Sequence, residues 1–326
     1  MLTRRFLLKA MAAAAAMTAL PRPALVLGKS SSPMTETRLM MGTFVTIKIA
    51  GTSPMQAADA FGEAFTRMAE LENTLTRFDS ASPLGHLNAS GVLHDAPAAL
   101  LKVTSASARM HDLTAGAFDP TVLPMLELME KNAGAALTSQ DMAEAAELVG
   151  MNHVSMEGRS IRLTRSGMKM SLDGIAKGYI ADEGARALRA AGVKNFLINA
   201  GGDIVAQGDK AGSPWRVAVE NPDKYKGNTE YLATRTLTNE AMATSGIYEN
   251  ILDAQGTRHH LLNPATGRCT TLPGASVVAP SAMEADALAT ALCVLSSPVE
   301  LVESLPQTAC LISLPQGRTR RSSRWG

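Results

Sequence analysis

The first clear pattern in the chain is an alternation of apolar and polar residues, which predicts a strand. In RLMMGTFVTIKIA, every second residue from Val45 to Ile49 is apolar, as expected of a strand with one buried face. Ser53 and Pro54 follow as an N-cap and a first-turn proline, so a helix is predicted to begin there. The apolar residues that share one face of this helix are Ala58, Phe61, Phe65, Met68 and Leu75.

Turn-forming residues interrupt the pattern after this helix. RFDSASPLGHLNASG is rich in Ser, Pro, Gly and Asn, which predicts a loop. Residues 95–97 introduce a second helix that runs to about His111, and LTAGAFDPTV is irregular. The segment NHVSMEGRSIRLT predicts a hairpin that turns at Glu157 and Gly158.

The second half of the chain is rich in short apolar runs typical of strands. NFLINAGGDIVAQG predicts two strands joined by a glycine turn, and WRVAVENP, LATRTLT, RHHLLNP and ACLISL are further strand candidates. SAMEADALATALCVL predicts a helix, with Ser281 and Glu284 spaced as a capping box. Because strands and helices do not alternate strictly, an α+β fold is favoured over a doubly wound parallel sheet.

Both ends of the chain are predicted to lie outside the folded domain. Residues 1–28 combine Arg4 and Arg5 with a short apolar stretch and two prolines, the order found in an export signal. The segment from Thr3 to Lys9 resembles a twin-arginine signal, which exports folded proteins. A membrane anchor is the alternative. The basic segment 317–326, GRTRRSSRWG, is predicted to be a disordered tail.

Composition narrows the possible partners. The 326 residues carry a net charge of +1, which gives no reason to expect nucleic acid. No segment after the leader has about 20 uninterrupted apolar residues, so no stable membrane span is expected once the signal is removed. Cys293 and Cys310 lie in apolar segments, which favours buried thiols over a disulfide framework.

The segment SLDGIAKGYIADEGARALRAAG predicts a helix whose first turn is rich in glycine and alanine. Gly174, Ala176 and Gly178 leave the backbone bare where the helix starts, and exposed N–H groups at such a terminus attract phosphate. Lys177 adds a point charge suited to phosphate. The alternative is a tight turn with close packing, and the segment alone does not separate the two.

Two further segments carry candidate ligands. In INAGGDIVAQG, Asp203 follows two glycines, which favours a hairpin turn over backbone contact with a ligand. In EADALATAL, Asp286 and Thr290 are four residues apart and therefore share a helix face. Their oxygens suit Mg²⁺, although a solvated Asp286 and a Thr290 bonded back to a carbonyl are the simpler interpretation.

Adjacent histidines on a predicted strand give one candidate base. His259 and His260 would point to opposite faces, so at most one of them faces a given pocket. A triad of Ser245, His260 and Asp203 would make a serine hydrolase. Nothing like a nucleophile elbow surrounds Ser245, which disfavours that hypothesis.

Eight stretches, taken in order, resemble the ApbE family of FAD:protein FMN transferases. They run from about Met40 to Leu295: MMGTFVTIKI, LTRFDSASPLGHLNAS, GAFDPTV, LDGIAKGYIAD, INAGGDIVAQG, ATSGIYEN, HHLLNPATG and MEADALATAL. Each is weak alone, and eight in order are specific. The resemblance implies one α+β module over residues 35–316, with two lobes, mostly antiparallel sheets and a ligand cleft between them.

The family resemblance also implies an activity and a site. Members bind FAD and Mg²⁺, cleave the diphosphate and attach FMN to a Ser or Thr hydroxyl of a partner flavoprotein, releasing AMP. The metal is implied to bind the carbonyl of Ala176 with Asp286 and Thr290. The implied FAD contacts are Met41, Phe78, Ala117, Phe118, Asp119, Asp173, Tyr179, His260 and Leu261.

The chain departs from the family pattern at one point. Many members have DLGGIAKGY, whereas Ser171 replaces the first Asp here and Asp173 stands two positions later, so the contact made by Asp173 is open. His260 is the candidate proton acceptor, with Asp286 or a metal-bound water as alternatives.

Three functional hypotheses follow from the resemblance. The first is an exported, periplasmic transferase that matures exported or membrane-facing redox proteins, with association with the inner membrane left open. The second is an FAD pyrophosphatase in the same pocket, and the third is a flavin-binding protein without turnover.

Overall fold

A computed structural model describes residues 32–132, 138–210, 212–227, 230–253 and 256–326; the predicted export signal lies outside the described residues. Eight strands form one sheet, in which every neighbouring pair is antiparallel. In spatial order they are β1 (Met34–Met40), β2 (Thr43–Ala50), β6 (Asn195–Ala200), β7 (Asp203–Gln207), β11 (Glu240–Gly246), β12 (Gly274–Ala279), β13 (Ala309–Ser313) and β14 (Thr319–Arg321).

Eight α-helices lie within the described residues, and some of them pack on one face of this sheet. They are α1 (Pro54–Leu75), α2 (Pro83–Ser90), α3 (Ala98–Leu113), α4 (Leu123–Lys131), α5 (Ser139–Ala146), α6 (Ala176–Ala190), α7 (Ala282–Leu292) and α8 (Pro298–Ser304). The α1 prediction is confirmed, because Ser53 accepts a hydrogen bond from the Gln56 amide at 3.2 Å. Its buried face uses Ala57 and Ala60, whereas Ala58 is exposed.

Two smaller sheets complete the α+β architecture. On the face of the main sheet opposite the helices, β8 (Asp209–Lys210), β9 (Ser213–Val219) and β10 (Ala233–Leu237) enclose a second core around Trp215 and Met242. The third sheet contains β3 (Val92–Leu93), β4 (Val154–Glu157) and β5 (Ser160–Leu163), and Gly158 turns the β4–β5 hairpin with a φ of 58°. The predicted α+β class and antiparallel sheets are confirmed.

The loop predicted over residues 77–91 is wrong, because it contains α2. Ser82 caps this helix by accepting a hydrogen bond from the Gly85 amide at 2.9 Å, and Pro83 occupies its first turn. Gly91 ends it with a φ of 75°, and Leu84 and Leu87 are buried. The Ser, Pro and Gly residues are therefore helix boundary signals here.

The prediction of a disordered basic tail is also wrong. Residues 319–321 form β14, which pairs with β13, and Trp325 is only 2% exposed. The Arg324 guanidinium donates hydrogen bonds to the carbonyls of Val302, Leu305 and Thr308. Strand pairing and one buried aromatic ring thus hold this basic segment to the domain.

Two other local predictions have mixed outcomes. RHHLLNP forms no strand, and its pairing is limited to the bridges Ile251–His259 and Leu262–Cys269. Cys293 and Cys310 are buried free thiols, as expected, and Cys269 is half-buried. Among the described residues, no helix combines the length and apolarity needed to cross a membrane.

Candidate active site

A cavity of about 1220 Å³ opens at the end of the main sheet where β6 turns into β7. It gathers segments that are far apart in the chain. Twelve of the thirteen predicted site residues line it: Met41, Phe78, Ala117, Phe118, Asp119, Asp173, Ala176, Lys177, His260, Leu261, Asp286 and Thr290.

Tyr179 is the exception, and the structure places it in the hydrophobic core. Its side chain is 4% exposed, and the ring lies 5.0 Å below the ammonium of Lys102. Two residues along a helix correspond to about 200° of rotation, so Tyr179 points away from the cavity that Lys177 faces. In this structure Tyr179 packs in the core and does not line the cavity, and its contact with the flavin stays a prediction.

Helices α6 and α7 cap each other at their first turns. Asp286 of α7 accepts a hydrogen bond from the Gly178 amide of α6 at 3.0 Å. In return, Asp182 of α6 accepts hydrogen bonds from the amides of Ala282 and Met283 at 2.9 and 3.0 Å. Each carboxylate therefore satisfies donors at the N-terminus of the other helix.

Glycine is required where these helices meet. A Cβ at Gly178 would lie 2.2 Å from the carbonyl oxygen of Ala282, and a Cβ at Gly174 would lie 2.9 Å from the Thr290 hydroxyl. The bare start of α6 thus serves close packing, which was one of the two interpretations of its sequence. This packing places Asp286 and Thr290 beside Ala176, the first residue of α6.

The oxygen donors of this contact fit a magnesium ion. Asp286 and Thr290 line the cavity with Ala176, and the Thr290 hydroxyl lies 3.3 Å from that of Ser245. In the described part of the chain, no group of three His, Cys, Asp or Glu side chains is arranged to hold a metal ion by itself. One carboxylate, one hydroxyl and one carbonyl suit a hard cation that completes its shell with phosphate and water.

The electrostatics of Asp286 also favour a cation. Burial and the neighbouring Asp203 raise the pKa of the Asp286 carboxyl to about 8. A bound divalent ion would stabilise the ionised form and offset the cost of its burial.

Lys177 and Asp203 form a buried ion pair at the edge of the cavity. The Lys177 ammonium lies 2.6 Å from Asp203 Oδ2, and Asp203 is 1% exposed. Burial alone would lower the pKa of Lys177, but the carboxylates of Asp203 and Asp286 raise it overall. The hairpin interpretation of the glycine segment is confirmed, because Gly201 and Gly202 turn the β6–β7 hairpin with φ values of 65° and 107°. Asp203, the first residue after this turn, holds the Lys177 ammonium.

The two histidines differ as expected, although they are not on a strand. His260 lines the cavity, whereas His259 is buried and bonds the Thr270 carbonyl and the Leu261 amide. Burial lowers the pKa of His260 to about 4, and its Nδ1 has no hydrogen-bond partner among the described residues. The imidazole is therefore neutral at pH 7.

The remaining predicted contacts form the opposite wall. Asp173, the residue that departs from the family pattern, accepts a hydrogen bond from Arg77 at 2.8 Å, and the Arg77 guanidinium stacks 4.1 Å from the Phe78 ring. Asp119 is buried and accepts hydrogen bonds from the Thr121 amide and hydroxyl at 2.8 and 2.5 Å. Asp119 thus holds the wall in shape, and Phe78 presents an aromatic face.

Sequence reasoning missed several charged residues that line the cavity, among them Arg77 and Glu249. Arg77 lies in a matching segment, but nothing local indicates its pairing with Asp173 across 96 positions. Glu249 lies in the matching segment ATSGIYEN, and desolvation raises the pKa of its carboxyl to about 7, with Lys177 opposing the rise. The contacts of Arg77 and Glu249 are tertiary contacts, which the hydrophobic pattern of the sequence does not indicate.

Replacing Lys177 by Met should destabilise the protein, and more so at higher pH. Breaking a buried pair costs about 3 kcal/mol. Without the ammonium, burial raises the pKa of the Asp203 carboxyl further. When the pKa of a group is raised in the folded state, the folded protein loses stability as the pH rises through that pKa. Urea unfolding at pH 5 and pH 8 measures this, with exposed Lys48→Met as the control. An equal loss at both pH values would contradict the assignment.

Comparisons with known proteins identify the family of this chain. The ApbE family model matches residues 41–312. Two proteins named FAD:protein FMN transferase are similar: one from Vibrio cholerae, 31% identical over 203 residues and 60% of each chain, and one from Escherichia coli K12, 29% identical over 269 residues, 78% of this chain and 76% of that protein. The chain thus covers about three fifths of the Vibrio protein's length.

Solved structures show the same architecture. The ApbE protein from Thermotoga maritima has a TM-score of 0.80 and 26% identity, covering 89% of this chain and 97% of its own. The apo flavinyl transferase ApbE from Pseudomonas stutzeri has a TM-score of 0.76 and 26% identity, covering 89% and 94%. On the match of the family model to residues 41–312, the chain belongs to the ApbE family.

Proposed function

We propose that this ApbE-family chain transfers the FMN moiety of FAD to a Ser or Thr hydroxyl of a partner flavoprotein, releasing AMP. The names of its curated relatives support transfer of FMN from FAD to protein. The observation that carries the proposal is the convergence of Ala176, Asp286 and Thr290 on one cavity, through the mutual capping of α6 and α7. These oxygens are suited to a metal-bound diphosphate.

Three groups would hold Mg²⁺: the Asp286 carboxylate, the Thr290 hydroxyl and the carbonyl of Ala176. When bound, the ion neutralises the diphosphate charge and stabilises AMP as a leaving group. Lys177, fixed by Asp203, presents a further positive charge to the same end of the cavity. The chain's own residues thereby counter the repulsion between an anionic diphosphate and an incoming oxygen.

The flavin would lie against the apolar wall of the cavity. Phe78 is 77% exposed while lining it, so its ring is available for stacking, and Phe118 and Leu261 add buried apolar surface. Met41 stands at the β1–β2 turn with a φ of 52°, and its amide donates a 2.6 Å hydrogen bond to Glu72. That bond holds Met41 in place beside the flavin.

His260 is the proposed proton acceptor. The neutral imidazole faces the cavity and can take the proton of the attacking hydroxyl. An anionic diphosphate nearby raises the pKa of His260 above its ligand-free value of about 4. The imidazole therefore becomes a stronger base when the dinucleotide is bound.

The proposed setting of the reaction is the periplasm. The basic and apolar order of residues 1–28 supports export of the folded chain. The acceptor is then a flavoprotein of an exported or membrane-facing redox system, with no role for nucleic acid.

Asp286→Asn should abolish FMN transfer, because an amide is a much weaker ligand for Mg²⁺ than a carboxylate. Transfer is measured as AMP release and covalent flavin on the acceptor, and calorimetric titration should show weaker Mg²⁺ binding with FAD present. The folded state should not be destabilised, since the variant removes a buried carboxyl whose pKa is raised. Glu284→Gln on the same helix is the matched control. Full activity in Asp286→Asn would contradict the metal assignment.

His260→Gln should reduce kcat for transfer about 100-fold or more, since general-base catalysis contributes about 10²–10⁴-fold. For the native protein in saturating Mg²⁺, activity should fall as pH drops and His260 becomes protonated. The acid limb of kcat should lie at higher pH than that of kcat/KM, because bound FAD raises the pKa of His260. An unchanged acid limb in His260→Gln would rule out His260. AMP release without an acceptor, at an equal rate, would favour hydrolysis over transfer.

A further inference from the structure

The cavity passes around the end of the main sheet and has two arms. Thr244 and Ser245 are consecutive residues of β11, so their side chains point to opposite faces, and yet both line the cavity. We name the part on the helix-covered face the inner arm, lined by Lys177, Asp286 and Thr290. The outer arm lies on the opposite face and is lined by Phe44, Asn199, Ile204, Met242 and Thr244.

The two arms meet at the proposed metal site. Ser245 lies 3.3 Å from Thr290, a proposed metal ligand, and Thr244 is the next residue toward the outer arm. Between the arms, Gly201 and Gly202 line the cavity without side chains. If Gly202 carried a Cβ, the nearest atom would be the Thr244 carbonyl oxygen at 4.0 Å. The turn therefore leaves the passage open at Gly202, whereas Gly201 packs against Thr43.

The chemistry of the outer arm suits a polypeptide better than a nucleotide. Its floor is apolar, with Ile204 and Met242 buried and Phe44 64% exposed, and Asn199 and Thr244 supply amide and hydroxyl groups. At its rim, the cation Lys224 is paired with Glu220. Glu220 thus neutralises the positive charge of Lys224, which an anionic dinucleotide would otherwise use. The inner arm, in contrast, holds Lys177 and the proposed metal ligands.

The size of the cavity is consistent with two occupants. Pockets for one small molecule enclose about 300–1,000 Å³, and this cavity encloses about 1220 Å³. A transfer reaction needs room for the dinucleotide and for the segment that receives FMN. The inner arm alone carries the ligands for the diphosphate.

We propose that the outer arm binds an extended segment of the acceptor protein and delivers its Ser or Thr hydroxyl to the diphosphate where the arms meet. This inference rests on the proposed function. The hydroxyl oxygen bonds to the phosphorus of the FMN moiety, and the bond from that phosphorus to the bridging oxygen breaks. AMP leaves with the electron pair, and the hydroxyl proton passes to His260. Phe44 contacts the acceptor segment at the outer end of the path.

The test compares two variants of one hairpin. Phe44 and Leu39 are cross-strand partners on the same sheet face and are 64% and 71% exposed, so neither substitution empties a core. Phe44 lines the outer arm and Leu39 lies outside the cavity. Phe44→Glu should lower covalent flavin formation about tenfold or more, as expected for loss of an aromatic contact at an interface, and Leu39→Glu should not.

The acceptors used are the cell's own proteins. A strain of the source organism lacking this gene is complemented with each variant, and covalent flavin is read by in-gel fluorescence. FAD affinity and acceptor-free AMP release are measured on the purified chains. A second outer-arm variant, Glu220→Lys, should also lower flavin formation.

Each outcome decides between the alternatives. Loss of covalent flavin in Phe44→Glu with unchanged FAD affinity supports the inference. Unchanged covalent flavin in both outer-arm variants overturns the inference. Weakened FAD binding in these variants also overturns it, because the outer arm would then bind the dinucleotide. If the native chain itself restores no covalent flavin, the proposed function fails, and that result is distinct from failure of the outer arm alone.

Discussion

The mutual capping of α6 and α7 is the contact on which the site depends. Asp286 accepts the Gly178 amide, and Asp182 accepts two amides from the start of α7. Because each helix supplies the cap of the other, neither can shift without leaving buried donors unsatisfied. The absence of a side chain at Gly178 permits this approach. A segment near residue 176 and a segment near residue 290 are thereby fixed at one point.

This contact places Asp286 near other carboxyl groups beside the cavity. Burial raises the pKa of Asp203, Asp286 and Glu249, and Lys177 is the cation that opposes all three shifts. The ligand-free site therefore holds an excess of carboxyl groups, which a divalent ion would relieve. The same excess would repel a diphosphate in the absence of that ion, so metal and dinucleotide are expected to bind together.

Twelve predicted residues line the cavity because they lie in short segments with recognisable chemistry. Asp286 and Thr290 share a helix face through simple periodicity, and His260 faces the cavity while His259 does not. Tyr179 does not line the cavity, and a family motif does not state which side of α6 faces the ligand. The pairing of Arg77 with Asp173 depends on packing between distant segments, which no local pattern reports.

The fold was predicted in its class and less well in its boundaries. Ser82, Pro83 and Gly91 were interpreted as a loop, although in this order they cap a short helix. The tail was judged by its charge, whereas Trp325 anchors it in the second core. Burial of the Trp325 ring helps to hold this segment to the domain, although its basic composition is typical of a disordered tail.

The most direct test of the account is a titration of Mg²⁺ into the FAD-bound Gly178→Ala variant. The added Cβ would lie 2.2 Å from the Ala282 carbonyl, so α6 and α7 must separate and Asp286 must lose the amide that orients it. Loss of such an orienting contact lowers metal affinity about 10–100-fold, and we expect a decrease in that range. Gly62→Ala, at an open position on α1, should bind Mg²⁺ like the native chain. A folded Gly178→Ala protein with native Mg²⁺ affinity would contradict the account.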